Sequence, residues 1–127
     1  MHSIEITNEF AKTFSRFIPS KSLRLQFLHG DYVVLPPSEL PDDVQFVGFT
    51  SHCQVQGIYQ TKRILTFQGH PEFDQFIETE CLKLVSKRVG WESEFTFAAI
   101  ASAQQNDDAT VAADIIMAFI LGLENAL

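Results

Sequence analysis

The chain has 127 residues, 46% hydrophobic and 20% charged, a composition typical of one folded domain and unlike that of a disordered segment. Sixteen acidic residues against nine Lys and Arg give a formal net charge of −7, so nucleic acid and anionic membranes are not expected as partners. With only Cys53 and Cys81, no disulfide framework is indicated. Residues 1–5 lack a signal-peptide pattern and the apolar run 115–123 is too short to span a bilayer, so we expect a cytoplasmic protein.

The first third of the chain is predicted to be mostly extended. Residues 3–7 alternate weakly and predict a strand, and residues 8–18 carry three phenylalanines at helical spacing before Pro19. Residues 23–28 alternate apolar and polar side chains, as a half-buried strand does. Three prolines then make residues 36–41 a rigid loop.

Three closely spaced apolar runs follow, at residues 44–49, 55–60 and 64–68. They are too close together for helical crossovers, so we expect an antiparallel arrangement or a β-meander. The last run, Ile64 to Phe67, is β-branched and aromatic and is stopped by Gly69 and Pro71. This pattern predicts a buried strand that ends in a sharp turn.

The second half predicts three helices. Asp74 is suited to cap a helix that runs to about Val89, with Gly90 as its stop. The apolar stripe of this helix consists of Ile77, Cys81, Leu84 and Val85. A second helix covers about residues 93–105, and Thr110 is predicted to cap a third. The third is apolar nearly all round, which requires cover on two sides and suggests a missing neighbour.

The turn after the predicted strand 64–68 carries the clearest chemistry. His70 and Glu72 lie two residues apart where the strand ends, the position at which open α/β sheets bind ligands. A neighbouring carboxylate orients an imidazole and favours its charged form. This pair predicts a general base that requires a nucleophile.

Three segments of the chain resemble the class I glutamine amidotransferases, especially the stand-alone members that are similar to GMP synthase. Residues 25–36 (LQFLHGDYVVLP) look like the family's His-x-Asp-x-Val-x-x-Leu-Pro segment, with one residue fewer between the valine and the leucine. Residues 51–57 (SHCQVQG) match its short Cys-x-x-Gln segment, and residues 68–74 (QGHPEFD) match its Gln-Gly-His-Pro-Glu-Phe-Asp signature. The order and the intervals agree over residues 25–74.

The resemblance implies a Cys-His-Glu triad, in which His70 and Glu72 are the catalytic histidine and carboxylate. In the family, a cysteine thiolate attacks the side-chain amide of glutamine and releases ammonia to an acceptor or to solvent. The implied substrate is glutamine or a γ-glutamyl compound, and no cofactor or metal is implied.

The chain departs from the family in one essential feature. The family nucleophile lies in Gly-x-Cys-x-Gly-x-Gln on a strand-to-helix elbow in the first half of the domain, and this motif is absent here. We therefore interpret residues 1–127 as a partial domain that lacks the nucleophile half. The expected fold is α/β: the C-terminal part of a doubly wound, flavodoxin-like amidotransferase domain with a β-meander and two or three helices.

The sequence gives weaker support for a functional role of the other candidate residues. Cys53 lacks the flanking glycines of an elbow and matches a family cysteine that is not the nucleophile, so a packing or loop role is expected. His29 and Asp31 are expected to position a loop, or merely to interrupt a strand. A zinc site formed by these two with His52 and Cys53 would fit by ligand type but not by spacing.

Three functions remain open at this stage. The chain contributes to glutamine amide hydrolysis once a partner or a longer gene product supplies the cysteine, or it is a non-catalytic binding or assembly module, or it is an inactive truncated relic. Because half a domain would leave apolar faces uncovered, we expect the isolated chain to self-associate, to bind a partner or to be poorly soluble. A stable monomer at micromolar concentration in analytical ultracentrifugation would contradict this expectation.

Overall fold

The structure of the chain, a computed structural model, describes residues 1–124 and has a mixed α/β architecture. The strands are β1 (His2–Ile6), β2 (Ser22–Leu25), β3 (Val44–Phe46), β4 (Gly48–Phe49), β5 (Ile58–Gln60) and β6 (Ile64–Leu65). The helices are α1 (Asn8–Thr13), α2 (Gln75–Val89), α3 (Ser93–Ala103) and α4 (Ala109–Leu121), with a 3-10 turn at Pro37–Glu39. Within residues 1–124, no helix is long and apolar enough to cross a membrane.

The strands form two small antiparallel sheets. One has the order β2-β1-β4 and the other the order β3-β5-β6. The predicted antiparallel pairing of the runs 44–49, 55–60 and 64–68 is confirmed by the second sheet. The doubly wound parallel arrangement stays a prediction, because every pairing between the named strands of the described chain is antiparallel.

One extended segment, residues 44–49, joins the two sheets. Its first half is β3 in one sheet and its second half is β4 in the other. Val47, at the junction, donates its N–H to the carbonyl of Gly57 (2.9 Å) and accepts the N–H of Thr7 (3.1 Å). Because Val47 is fully buried and bonded in both directions, the two sheets share a single core.

The core is built around an aromatic cluster. The ring of Tyr59 lies 5.8 Å from Phe10, 5.3 Å from Phe14 and 6.2 Å from Phe119, in edge-to-face arrangements. Phe10, Phe14 and Tyr59 are almost completely buried. Ile4, Ile6, Leu23 and Leu25 alternate along β1 and β2 and pack onto this cluster, while Ala112, Ile115 and Ala118 of α4 complete it.

Two of the predicted extended segments differ in the structure. The run Ile64 to Phe67 is not a buried strand: β6 comprises only Ile64 and Leu65, and the Ile64 side chain is exposed. It pairs only with β5, so its other edge has no strand partner among residues 1–124. Residues 32–35 lie in the first third of the chain, which was predicted to be mostly extended, but they form no strand, and the side chains of residues 32–34 are exposed.

Helix α2 confirms the predicted ends but not the predicted face. The Asp74 carboxylate caps it by accepting the N–H of Ile77 at 2.7 Å, and Gly90 ends it in the left-handed conformation. The stripe of Ile77, Cys81, Leu84 and Val85 is wrong as a buried face, because Leu84 is 70% exposed and the fully buried positions are Glu78 and Leu82. The helix packs chiefly on α3, with Ser86 and Thr96 hydrogen bonded at 2.6 Å, and this contact sets its rotation.

The cap of the last helix also differs. Thr110 is not the cap, since α4 begins at Ala109 after Asp108. The Asp108 carboxylate accepts the N–H of Arg24 at 2.7 Å, and the Asp108 N–H donates to the Arg24 carbonyl at 2.7 Å. This reciprocal pairing with the edge of β2 fixes the start of the helix. The exposed apolar side chains of α4 agree with its expected need for cover; they are Met117, Ile120 and Leu121.

Substitution of Gly57 tests the packing between β5 and β6. A Cβ at this position would lie 2.1 Å from the Thr66 carbonyl oxygen, so Gly57→Ala requires the backbone to move. We expect a loss of about 2 kcal/mol in the free energy of unfolding. Gly30→Ala is the matched control, because nothing lies within 4 Å of its Cβ. Urea unfolding of both variants measures the difference, and equal stabilities would contradict this packing.

Candidate active site

The turn that follows β6 is joined by a backbone hydrogen bond to the residue directly after β2. The N–H of His70 donates to the Gln26 carbonyl at 2.8 Å and forms an isolated antiparallel bridge. The N–H of Phe73 donates to the His70 carbonyl at 3.2 Å, which closes the turn. Gly69 allows this close approach, because a Cβ there would lie 2.9 Å from the Phe27 ring. The position of His70 is therefore set by the fold and not by a mobile loop.

His70 and Glu72 are in direct contact. Nδ1 of His70 lies 2.8 Å from Oε1 of Glu72, and the imidazole stacks on the Phe73 ring at 4.1 Å with an 8° tilt. Partial burial is the largest single influence and acts to raise the pKa of Glu72, but the hydrogen bond from His70, a backbone hydrogen bond and the charge of His70 together lower this pKa. Glu72 is therefore a carboxylate near neutral pH, so the proton of the hydrogen bond belongs to Nδ1.

The second ring nitrogen of His70 remains available for chemistry. With the proton on Nδ1, the neutral ring carries its lone pair on Nε2. No hydrogen-bond partner for Nε2 occurs within residues 1–124, and the His70 side chain is 34% exposed. This arrangement can accept a proton from a nucleophile and later donate it to a leaving group.

The two cysteines lie in ordinary packing environments. Cys53 is 4% exposed, and its thiol donates to the Val55 carbonyl at 3.2 Å. Its backbone N–H is bonded to the Thr50 hydroxyl, so the residue belongs to a tight turn before β5. Cys81, which the sequence placed in the apolar stripe of α2, is only partly buried.

His29 and Asp31 lie in an exposed loop beside the candidate site. The His29 ring contacts the Asp31 carbonyl, and the same carbonyl accepts a 3.4 Å bond from the Gln68 side chain, two residues before His70. The loop thus contacts the segment that leads into the His70 turn. No group of three metal-ligating side chains is positioned to hold an ion in the described part of the chain, which gives the zinc alternative no support.

Glu78 is a residue that sequence reasoning missed. It is completely buried on α2, and neither carboxyl oxygen has a hydrogen-bond partner among residues 1–124. Burial raises the pKa of the Glu78 carboxyl, and the Met1 amino group and the His70 ring offset only part of that rise. The only sequence signal was its position one helical turn after the capping Asp74, on the same face as Leu82.

The raised pKa of Glu78 predicts a specific pH dependence of stability. A carboxyl whose folded pKa is raised binds more protons in the folded state, so stability decreases as pH rises from its ordinary pKa through the folded value. Glu78→Gln cannot ionise, so its gain in stability over wild type should be larger at about pH 7.5 than at about pH 4. Denaturant unfolding at both pH values measures this gain. The exposed Glu5→Gln is the control, and a pH-independent difference for Glu78→Gln would contradict the prediction.

Comparison with known proteins supports a glutamine amidotransferase-like family, because the chain is similar to proteins named as glutamine amidotransferases or glutamine amidotransferase-like. No family model matches the chain, and no solved structure matches it significantly.

The particular relatives come from fungi and a plant. The chain is 29% identical over 82 residues to a protein of Schizosaccharomyces pombe provisionally named glutamine amidotransferase-like, covering 65% of this chain and 30% of that protein. It is 40% identical over 55 residues to a provisionally named glutamine amidotransferase of Saccharomyces cerevisiae, covering 43% and 20%. It is 31% identical over 85 residues to gamma-glutamyl peptidase 2 of Arabidopsis thaliana, covering 67% and 33%. The matched region thus spans a third or less of each relative.

Proposed function

We propose that this chain supplies the histidine and the glutamate of a Cys-His-Glu site that hydrolyses the γ-amide of glutamine or of a related γ-glutamyl compound. The observation that carries the proposal is the 2.8 Å contact between Nδ1 of His70 and Oε1 of Glu72, with Nε2 open. The names of the relatives support this substrate class, since they denote glutamine amidotransferases and a γ-glutamyl peptidase. In this proposal residues 1–127 form the C-terminal part of a doubly wound amidotransferase domain.

The proposed reaction assigns each residue one role. Nε2 of His70 takes the proton of a cysteine thiol, and the thiolate forms a C–S bond with the amide carbon. His70 then returns the proton to the departing nitrogen as the C–N bond breaks, which releases ammonia and leaves a γ-glutamyl thioester. Water hydrolyses the thioester, again with His70 as base. Glu72 holds the ring in the required tautomer throughout and stabilises its protonated form.

The cysteine of this reaction lies on polypeptide outside residues 1–127. Cys53 does not fill the role in our proposal, because its thiol is buried and bonded to the Val55 carbonyl. The relatives have at least three times the length of the region matched here, so they contain ample chain for a nucleophile elbow. A separate polypeptide or an upstream segment could supply the same half.

A glutaminase assay tests the proposal. The chain is purified alone and together with a co-expressed polypeptide comprising the part of the Schizosaccharomyces pombe relative outside the matched region, and ammonia release from glutamine and γ-glutamyl dipeptides is measured. We expect no turnover by either polypeptide alone and turnover by the pair. Activity of this chain alone that disappears in Cys53→Ala would show that Cys53 is the nucleophile.

The alternative is a non-catalytic binding or assembly module, as the sequence left open. It predicts a stable complex with the same polypeptide but no ammonia release from either substrate class. The apolar side chains exposed on α2, α3 and α4 are the observation that favours an assembly role.

A further inference from the structure

Three of the four histidines of the chain lie around one pocket, and His70 is not among them. The pocket has a volume of about 260 Å³ and is lined by His2 of β1, His29 of the loop after β2 and His52 of the turn before β5. The His2 ring lies 6.3 Å from the His52 ring, and the Phe27 ring lies 5.5 Å from His2 and 5.8 Å from His29. We call this feature the three-histidine pocket.

The imidazoles of the pocket can be reached from solvent, while other parts of its lining are fixed in the fold. All three histidines are exposed, whereas the lining residues Phe27, Cys53 and Gln56 are buried. The Gln56 side chain is held by its amide, which donates to the Thr50 hydroxyl at 3.0 Å. A ligand can therefore contact the three rings without any rearrangement of the core.

The lining of the pocket differs in charge from the rest of the molecule. No Asp or Glu side chain lines it in the described part of the chain, although the chain has 16 acidic residues and a net charge of −7. A carboxylate within the pocket would neutralise protonated imidazoles, and without one their positive charge is available to an anion. The phenol of Tyr32 also lines the pocket and can donate a further hydrogen bond.

His29 shows how these rings can present hydrogen-bond donors. Its Nδ1 contacts the Asp31 carbonyl oxygen, which can only accept a hydrogen bond, so the proton of this contact belongs to Nδ1. Protonation of the ring then places a second N–H at Nε2 together with a positive charge. An anion would gain both the charge and the donor.

The surroundings of His2 make its protonation costly when no anion is bound. Burial is the largest cause that lowers the pKa of His2, and the charges of the Met1 amino group, His52 and His29 lower it further. Each proton added to the cluster thus opposes the next. A bound anion would offset this repulsion, so anion binding and proton uptake should favour each other.

Two carboxyl groups lie in the neighbouring grooves rather than in the pocket. Glu5 of β1 lines the adjacent groove together with His2 and His52, and Glu78 of α2 lines the cleft on the side of Met1. Glu78 is completely buried, so it is not accessible to a ligand. The remaining titratable side chains of the lining, Cys53 and Tyr32, add no positive charge.

We propose that the three-histidine pocket is a binding site for a small oxyanion with two negative charges, of the sulfate or phosphate kind, which binds more tightly as the pH falls. The protonated rings of His2, His29 and His52 donate charge-assisted hydrogen bonds to its oxygens. A shared metal ion does not fit, because within residues 1–124 no group of three ligating side chains is positioned to hold one. The inference does not rest on the proposed function, since neither His70 nor Glu72 lines the pocket.

Isothermal titration calorimetry with sulfate tests the site on the isolated chain. Sulfate keeps its double charge between about pH 5.5 and about pH 7.5, so a change in affinity reports on the protein. We expect binding to be about tenfold or more tighter at the lower pH, because an imidazole of ordinary pKa changes from about 10% to about 90% protonated over this interval. Sodium chloride keeps the ionic strength constant, so general screening is the same in both titrations.

Substitutions locate the binding on the pocket. His52→Gln and His29→Gln each remove one charged donor and should weaken sulfate binding at the lower pH by about fivefold or more. Both side chains are exposed, so the fold should be preserved, which circular dichroism melting checks. Lys87→Gln is the matched control, because it removes one positive charge from the exposed end of α2 and should change the affinity by less than about twofold.

Nuclear magnetic resonance of the histidine rings provides a second measurement on the same chain. Sulfate should shift the ring signals of His2, His29 and His52, while the ring signal of His70 serves as an internal reference and should not move. Absence of sulfate binding at the lower pH, equal affinity at both pH values, unchanged affinity in both folded histidine variants, or an equal response of His70 would each overturn the inference.

A phosphate monoester distinguishes a free ion from the same charge carried on a larger molecule. Phenyl phosphate that displaces sulfate and binds at least as tightly would support the site with a phosphorylated small molecule as its ligand. Phenyl phosphate that fails to displace bound sulfate would support the site with a free ion as its ligand.

Discussion

When this chain is combined with the co-expressed polypeptide, replacement of His70 by alanine is expected to lower the rate of ammonia release from glutamine about 10³- to 10⁴-fold. The imidazole is the group that takes and returns the proton in the proposed reaction, and loss of a general base has effects of about this size. The side chain is partly exposed and its backbone bond to Gln26 is kept in the variant, so folding and complex formation should be preserved. Steady-state kinetics and calorimetry on the same preparations measure the two effects.

Glu72→Gln is expected to give a smaller loss in kcat, of about 10²-fold or more, because an amide no longer fixes the proton on Nδ1. Its pH–rate profile should also change, since the carboxylate that stabilises the protonated ring is gone. Glu80→Gln is the control: this residue lies on α2 and its carboxylate pairs with Lys83 at 2.9 Å, away from the His70 turn. Full activity of His70→Ala, or equal losses in Glu72→Gln and Glu80→Gln, would remove the basis of the proposed mechanism.

Replacement of Phe14 by alanine is expected to lower the free energy of unfolding by about 4 kcal/mol. Phe14 is fully buried and lies 4.8 Å from the Phe10 ring and 5.3 Å from the Tyr59 ring, so its loss leaves a cavity that rigid neighbours cannot fill. Phe97→Ala is the same chemical change at a position that is 78% exposed, and it should cost less than about 0.5 kcal/mol. Urea unfolding of both variants provides the comparison.

The Phe97→Ala control also tests whether the isolated chain self-associates in solution. If Phe97→Ala were as destabilising as Phe14→Ala in the isolated chain, Phe97 would be covered by a second copy in solution. If Phe14→Ala were harmless, the aromatic cluster would not be the core.

The sequence correctly predicted those local features that depend on individual residues and their immediate neighbours in the chain. Asp74 and Gly90 mark the ends of α2 because a carboxylate satisfies open N–H groups and glycine tolerates the left-handed conformation. The turn at His70 was likewise predicted from Gly69, Pro71 and the preceding apolar run. The contact between His70 and Glu72 involves two neighbours in sequence and needs little tertiary information.

The predictions that were wrong concern features that depend on what packs against each helix or strand. Periodicity showed that α2 is amphipathic, but the rotation that buries Glu78 and exposes Leu84 is set by the contact with α3. The start of α4 was displaced from Thr110 because Asp108 is engaged by Arg24, 84 residues away. The pattern of Ile64 to Phe67 predicted a buried strand, yet among residues 1–124 β6 has a strand neighbour on only one side. Predicting helix rotation, helix start and strand burial requires knowledge of the packing partners, which a local sequence pattern does not contain.

The pairing of Arg24 with Asp108 has a consequence for the way the molecule forms. Strand β2 is joined to the start of α4 by this pair and, through Gln26, to His70, so contacts far apart in sequence meet on one short strand. Closing such long loops costs entropy before any contact compensates it, and this slows folding. A nascent chain released before residue 108 would lack the contact that completes β2. We therefore expect the His70 turn to become ordered late in synthesis, when nearly the whole chain has left the ribosome.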